Sequence, residues 1–504
     1  MTSRGALFLV AALHLPAAAA LAQRAPRAPR AQAPPIDSMA LRANTYFLSH
    51  DLLEGRETGS RGGEVAARYL AAAAERLGLK GAAEGGAWFQ EVPLVEATID
   101  TSATTLSLTD SLGVTRTFHS PAAFIPNGGT AASLVGFGGE LAWVGGASDV
   151  LAHADRLPPL AGRVAIMAGV FAADAAAADT LTAHGATGVI ELVGSDEVYR
   201  LYADSRGPSR LYVADPAVRS SFAPAIPTVI VRAALARELL GRVDSEEQLA
   251  RPFLIAGRRV AIGIRTIQRS VAARNVAALL PGADPGLRGE YVVFTAHYDH
   301  LGIGPPDATG DSIYNGFTDN AAGCAALLAI AQALSTVRVA RSMLFVFFTG
   351  EERGLLGSDW FVAHPSVPAE SIAAVINLDA GAPPARPVRW HVTGGGRSTL
   401  GAVALEVAYG EGWDAETRPP SPNTDYYPFV RIGVPAVFLV PAPGAYEGLT
   451  LDSSNALRRR WDHYHEPADA WSAEFPFEGL VRYSDFALRI GLAISEGPRP
   501  VMVR

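Results

Sequence analysis

Five near-continuous apolar runs, at 275–280, 291–295, 343–348, 373–378 and 434–440, restrict what this chain can fold into more than any other feature. A strand with one face in water alternates apolar and polar residues, whereas a run apolar at nearly every position is buried on both faces. Helical patterns separate the runs, among them 321–334. The alternation predicts a largely parallel mixed sheet covered by helices, a three-layer α/β/α fold. Helical periodicity also marks 40–53 and 63–77, with the turn-rich segment Glu54-Gly55-Arg56-Glu57-Thr58-Gly59 between them.

The texture differs between 101 and 255. Short β-type runs at 164–167, 188–190 and 228–231 alternate with Gly and Pro, and an Ala-rich helix is expected at 172–184. This predicts a smaller β-rich unit at 116–258, inserted between a first part of the main domain at 37–115 and its larger part at 259–504. Ahead of them, a basic start (Arg4) and an apolar run from Ala6 to Ala22 end on Ala20-Leu21-Ala22, the pattern of a cleaved signal peptide at 1–22. The Ala/Arg/Pro-rich stretch 23–36 reads as a flexible leader. A secreted or periplasmic protein without a stable membrane anchor is expected. Cys324 is the only cysteine, which excludes an intramolecular disulfide. With 50 acidic against 42 basic residues and no long basic run, nucleic acid and anionic membranes are poor partners. Nothing in the sequence speaks to oligomeric state.

The chemistry is carried by the polar residues just past the apolar runs. Run 291–295 leads into His297-Tyr298-Asp299, run 343–348 into Glu351-Glu352, and run 373–378 into Asp379. Asp319-Asn320 precedes the helix at 321–334, and a later turn carries His463-Tyr464-His465-Glu466. Singly, each has an ordinary explanation: Asp319 as a helix cap, Glu351 and Glu352 as acids favoured near a helix start, His297 and His465 as loop residues. Jointly they fall where loops of an open α/β sheet converge, at the carboxyl ends of strands. Two histidines and three carboxylates suit two zinc ions with one carboxylate shared, and the residual charge suits a bridging hydroxide. Bound zinc lowers the pKa of water from about 15.7 to about 7. A base outside the ligand set is still needed for the leaving amine, and adjacent Glu351 and Glu352 can divide those tasks.

The segments TAHYDHLG, GDSIYNGFTDNAAG, FFTGEERGLLGS, INLDAG, NTDYYPF with GVPA, and YHEPAD resemble, in this order, the co-catalytic zinc aminopeptidases. That family is related to glutamate carboxypeptidase, the transferrin receptor and the glutaminyl cyclases. The resemblance covers 275–471, and LEGRETGS is similar to the family's opening segment. It implies an exopeptidase acting on peptides with two zinc ions per chain. Asp319 would bridge them, His297 and Asp379 would complete one site, and Glu352 and His465 the other. Glu351 would be the general base and Asp299 would orient His297. The peptide bond Asp319-Asn320 would be cis. Asp425 and Tyr426 fall at substrate-contacting positions, and Tyr426 or Tyr427 is a candidate for stabilising the oxyanion. The Tyr-His-x-Pro-x-Asp frame selects His465 over His463. His300 could add a polar group near the metals, although a structural role is the simpler reading. The middle unit resembles a protease-associated domain in LAGRV, HGATGVI and IPTV, and would wall the cleft or act as a spacer. Departures from the family pattern are Ala322, Ala380 and Tyr426.

An aminopeptidase is the expected activity. A carboxypeptidase or dipeptidase is the alternative, with Arg418 or Arg431 as carboxylate-binding candidates. A glutaminyl cyclase or a non-catalytic binding module would be expected to lack part of this ligand set.

Overall fold

A computed structural model describes residues 34–169, 175–243 and 245–503. The expected signal peptide and most of the expected leader lie outside the described residues.

The main sheet contains nine strands longer than two residues: β1 (Phe89–Ile99), β2 (Ser209–Val213), β3 (Thr266–Leu280), β4 (Tyr291–His297), β5 (Ser342–Phe348), β6 (Ile372–Asn377), β7 (Arg389–Thr393), β8 (Asp414–Arg418) and β9 (Ala436–Pro441). Their order is β8-β7-β9-β6-β4-β5-β3-β1-β2. The four central strands β9, β6, β4 and β5 are mutually parallel. On one side β3 runs antiparallel to β5, and on the other β7 runs antiparallel to β9. The apolar runs therefore mark the buried parallel centre plus the end of β3. The short β7 and β8 are not visible in the sequence, because their mixed segments RWHVT and DAETR carry no continuous apolar signal.

Six helices matter for the site: α1 (Ser38–Leu48), α2 (Arg61–Arg76), α3 (Ala322–Ser335), α4 (Leu356–Ala363), α5 (Tyr427–Arg431) and α6 (Glu478–Glu496). Alternate residues of β4 and β5, Val293, Leu344, Val346 and Phe348, pack with Phe361 of α4 and Phe429 of α5. On the opposite face Phe294 stacks on Phe345 and comes so close to α6 that a Cβ on Gly491 would collide with its ring. The segment Phe317–Ser335 is long and apolar enough to cross a membrane, but 89% of its apolar window is buried: it is the core helix.

The second sheet has the order Thr115–His119, Thr105–Thr109, Phe253–Gly263, Phe137–Gly146, Arg163–Ala168, Gly188–Leu192, Thr228–Val231, Phe124–Pro126. All of it lies between β1 and β3 in the chain. It extends past 116–258 on both sides, because the chain leaves the main sheet at Ile99 and re-enters it at Thr266. The Ala-rich helix spans Ala175–Ala183. One strand from this stretch, β2, crosses back to pair with β1 from Leu94↔Val213 to Thr98↔Ser209, which ties the two sheets together.

Candidate metal centre

Three adjacent parallel strands deliver the first groups. His297 is the last residue of β4, Glu351 and Glu352 lie in the turn after β5, and Asp379 follows β6. Asp319 sits in the tight turn Phe317–Ala321 that opens α3, and the Asp319–Asn320 peptide bond is cis. Asn320 holds this turn in place, donating from Nδ2 to the Leu378 carbonyl at 3.0 Å and accepting from Gly323 N at 3.0 Å. Gly323 must be glycine for this approach, since a Cβ there would collide with Asn320 Oδ1.

The side chains converge on Asp319. On one side His297 Nε2 lies 3.1 Å from Asp319 Oδ1 and 2.9 Å from Asp379 Oδ1. On the other, His465 Nε2 lies 3.1 Å from Asp319 Oδ2 and 3.2 Å from Glu352 Oε2. Glu351 Oε2 is 4.0 Å from His297 Nε2 and lines the cleft. His463 points elsewhere, toward Glu466 and the Arg460 carbonyl.

The electrostatics describe a cation site. Burial alone would favour the neutral His297 ring, but Asp379 and Glu351 win and raise its pKa well above the usual histidine range. Burial opposes a charged His465 too, yet hydrogen bonds to Asp319 and Glu352 push it up to about 10. Asp319 is pushed up by burial but held well below the usual carboxylate range by both histidines. Burial dominates at Glu351 and raises it well above that range. The acids thus favour protonated imidazoles, and a divalent cation held by the same atoms would take the place of those protons. Two groups of nitrogen and oxygen donors fit the expected pair of ions: His297, Asp319 and Asp379, and Asp319, Glu352 and His465, the last group with His300 packed behind Glu352.

A ring of supporting contacts fixes these ligands. Asn377 accepts from Thr295 Oγ1 at 2.7 Å and donates to Thr424 Oγ1 at 2.9 Å, and Thr424 in turn donates to Asp379. Asp469 receives the backbone N–H of Thr318 at 3.0 Å and of Asp319 at 3.2 Å. Cys324 is buried and its Sγ lies 3.1 Å from the His297 carbonyl. Arg56 is 1% exposed, and its guanidinium donates to the carbonyls of Leu48, Tyr298, Asn315 and Gly316. Sequence reasoning misses both Arg56 and Thr424, because their contacts join segments distant in the chain.

Four expectations change. His297 Nδ1 meets the Asp299 backbone carbonyl at 3.1 Å, while the carboxylate stands 3.8 Å off. That carboxylate instead accepts from Thr58 Oγ1 at 2.8 Å and from Glu351 N at 3.2 Å, so it positions the Glu351 turn. Asp425 is fully buried, accepts from Ser358 Oγ at 2.5 Å and is lifted by burial to about 8. Tyr426 is also fully buried in the β-sheet core, and its hydroxyl donates to Ser421 O and accepts from Ser421 N. Tyr427 packs against the same core. None of Asp425, Tyr426 and Tyr427 is among the residues lining the cleft: Asp425 and Tyr426 are fully buried, and Tyr427 is half-buried against the core. The residue that does is Tyr464, whose ring stacks on His465 at 3.8 Å and borders the cleft with Glu351. Its place directly before His465 is the signal that could have found it.

The cleft holds about 690 Å³. Its walls combine the metal-centre turn with Asn127, Tyr202 and Phe222 from the stretch between β1 and β3.

A mixed α/β sheet that presents histidines and carboxylates at its central strand ends, open to a cleft, makes a candidate site for divalent cations. Residues 275–489 match the peptidase family M28. The fold is that of an aminopeptidase from Aneurinibacillus sp. strain AM-1, with TM-score 0.54 and 18% identity over 92% of this chain and 95% of that one. In sequence, a probable leucine aminopeptidase 2 of Aspergillus oryzae (strain ATCC 42149 / RIB 40) is 27% identical over 212 residues, 40% of this chain and 39% of that protein. A probable zinc metalloprotease of Pyrenophora tritici-repentis (strain Pt-1C-BFP) is 34% identical over 21% of this chain and 23% of that protein. The matches thus span well under half the length of these curated relatives.

Proposed function

We propose that this chain is an exported two-zinc exopeptidase that removes residues from the amino ends of peptides. The observation that carries the reading is the convergence of His297, Asp379, Glu352 and His465 on the two oxygens of Asp319, with Glu351 beside them in the cleft. His297, Asp319 and Asp379 would hold one zinc, and Asp319, Glu352 and His465 the other. Zinc bound there supplies a Lewis acid that polarises the scissile carbonyl and acidifies water.

The chain's own groups do the rest. Glu351, raised by burial, accepts the proton of the attacking water and returns it to the leaving amine. The Tyr464 phenol borders the cleft beside Glu351 and would donate to the developing oxyanion. The names of the relatives support removal of N-terminal residues, leucine among them. Geometry weighs against a carboxylate clamp from Arg418 or Arg431. Arg418 lies on the edge strand β8 beside His391 and Glu416, and Arg431 is occupied by Asp359 and the Arg219 carbonyl. Export is supported by the basic start and the apolar run with its Ala20-Leu21-Ala22 ending. The protease-associated likeness of the stretch between β1 and β3 agrees with its place on the cleft wall.

Metal analysis of the purified mature protein, run beside a panel of aminoacyl chromogenic substrates, tests the proposal. Two zincs per chain and chelator-sensitive release are expected. Removal of residues only from carboxyl ends would overturn the aminopeptidase assignment, and a single zinc with pyroglutamate formation would replace it by a cyclase.

A further inference from the structure

One loop of the stretch between β1 and β3, residues 219–224, is fastened to the peptidase sheet by a buried charge. Asp359 of α4 is 1% exposed. Its carboxylate accepts the Ser221 N–H at 2.6 Å and the Ser221 hydroxyl at 2.5 Å. Arg431 of α5 lies 3.3 Å from the same carboxylate and donates to the Arg219 carbonyl at 2.9 Å. Within the loop, Ser220 Oγ accepts from Phe222 N at 3.2 Å and Ala223 N at 2.9 Å. Both ends of the turn are therefore fixed, one by the peptidase helices and one by its own side chain.

What this anchoring presents is Phe222. Its neighbours Ser221 and Pro224 are buried, whereas Phe222 is 37% exposed and borders the cleft. The ring lies against Gly354, two residues after Glu352, where a Cβ would stand 3.3 Å from Phe222 Cδ1. A large apolar side chain left partly in water, beside the turn that carries the base and a metal ligand, gains free energy when a ligand covers it.

We infer that Phe222 is a specificity-determining residue, giving the cleft an apolar subsite for a large apolar side chain of the substrate, and that Asp359 is the positioning residue that holds it there through Ser221. The inference rests on the exopeptidase reading and names its substrate class: peptides whose terminal region carries leucine-like rather than small or charged residues. Side-chain contacts of this kind discriminate by factors on the order of 10 to 200.

The test uses full-length mature protein and a peptide mixture varied at both ends, with released residues quantified by mass spectrometry. The wild type should favour leucine over alanine, and Phe222→Ala should lower that ratio of kcat/KM by about tenfold, mainly through KM. Asp359→Asn should lower the ratio in the same direction, with KM rising more than kcat falls, and should speed hydrogen exchange at the amides of Ser221 and Phe222. Phe222→Leu should restore most of the preference. An unchanged leucine-to-alanine ratio in an active Phe222→Ala enzyme would overturn the subsite, and unchanged exchange in Asp359→Asn would overturn the latch. Release from neither end by the wild type would count against the exopeptidase reading itself, and the exchange measurement would still decide the latch.

Discussion

Nδ1 of His300 lies 2.6 Å from Oε1 of Glu352, while the other oxygen of that carboxylate, Oε2, faces His465 Nε2 at 3.2 Å. His300 is completely buried and stands 3.9 Å from Asp319 Oδ2. Its backbone is tethered by a hydrogen bond to the Arg56 carbonyl. Across the site, Gly316 passes so close that a Cβ there would fall 2.6 Å from the imidazole. The ring has no room to swing, so it occupies Oε1 of Glu352 and would leave Oε2 for a metal ion.

His300→Ala should therefore weaken zinc at the Glu352–His465 side by about 10–100-fold, the usual effect of losing a partner behind a ligand. Stepwise zinc titration followed by calorimetry reads this directly. Equal weakening of both sites would show that His300 does not act through Glu352.

Glu351→Gln preserves the size of the side chain and removes the base. Turnover should fall by roughly 10²–10⁴-fold with both metals still bound, as measured by elemental analysis beside steady-state kinetics. Full activity in this variant would refute the assignment of the base.

Arg56→Met keeps much of the side-chain volume but strips the donors from the carbonyls of Leu48, Tyr298, Asn315 and Gly316. Each buried carbonyl left without a partner costs about 1–3 kcal/mol. Thermal unfolding should show a loss of at least ~3 kcal/mol. Because Asn315 and Gly316 lead into the Asp319 turn, zinc affinity should fall as well. Unaltered stability would mean that water replaces the guanidinium.

Burial raises the Asp359 carboxyl from 3.8 to about 6, against the pull of Arg431 and the hydrogen bonds from Ser221. The folded protein holds this proton more tightly than the unfolded chain, so stability falls with pH wherever only the folded state is protonated. The contribution is complete below 3.8 and lost as pH rises through about 6. The gap is worth up to ~3 kcal/mol. Asp359→Asn lacks this titration, so the stability of wild type relative to the variant should decline between about pH 4 and about 6.5 in paired melting curves. Parallel curves would place the carboxyl in its ordinary range.

The central parallel strands and the residues just past them are legible because both are local consequences of one pattern. A segment apolar at every position must be buried on both faces, and the first polar residues past it must lie at the sheet's carboxyl edge. That argument reaches His297, Glu351, Glu352 and Asp379, and nearness to a core helix adds Asp319. It does not reach Arg56, whose partners at 298, 315 and 316 lie more than two hundred residues onward. The resemblance, for its part, puts Tyr426 at the substrate, whereas its fully buried ring packs against Phe438 in the core, a contact between segments that the motif does not encode.

Composition and periodicity by themselves determined the apolar centre of the sheet and placed His297, Asp319, Glu351, Glu352 and Asp379 next to its core elements, while the choice of His465 came with the family resemblance. Only the tertiary structure decided which oxygen faces which nitrogen, that His300 backs Glu352, and that a loop from between β1 and β3 brings Phe222 to the cleft. Burial is averaged over an element and so leaves a periodic trace in its sequence. A contact between two side chains depends on the relative placement of distant elements to within an ångström, and no local pattern encodes that.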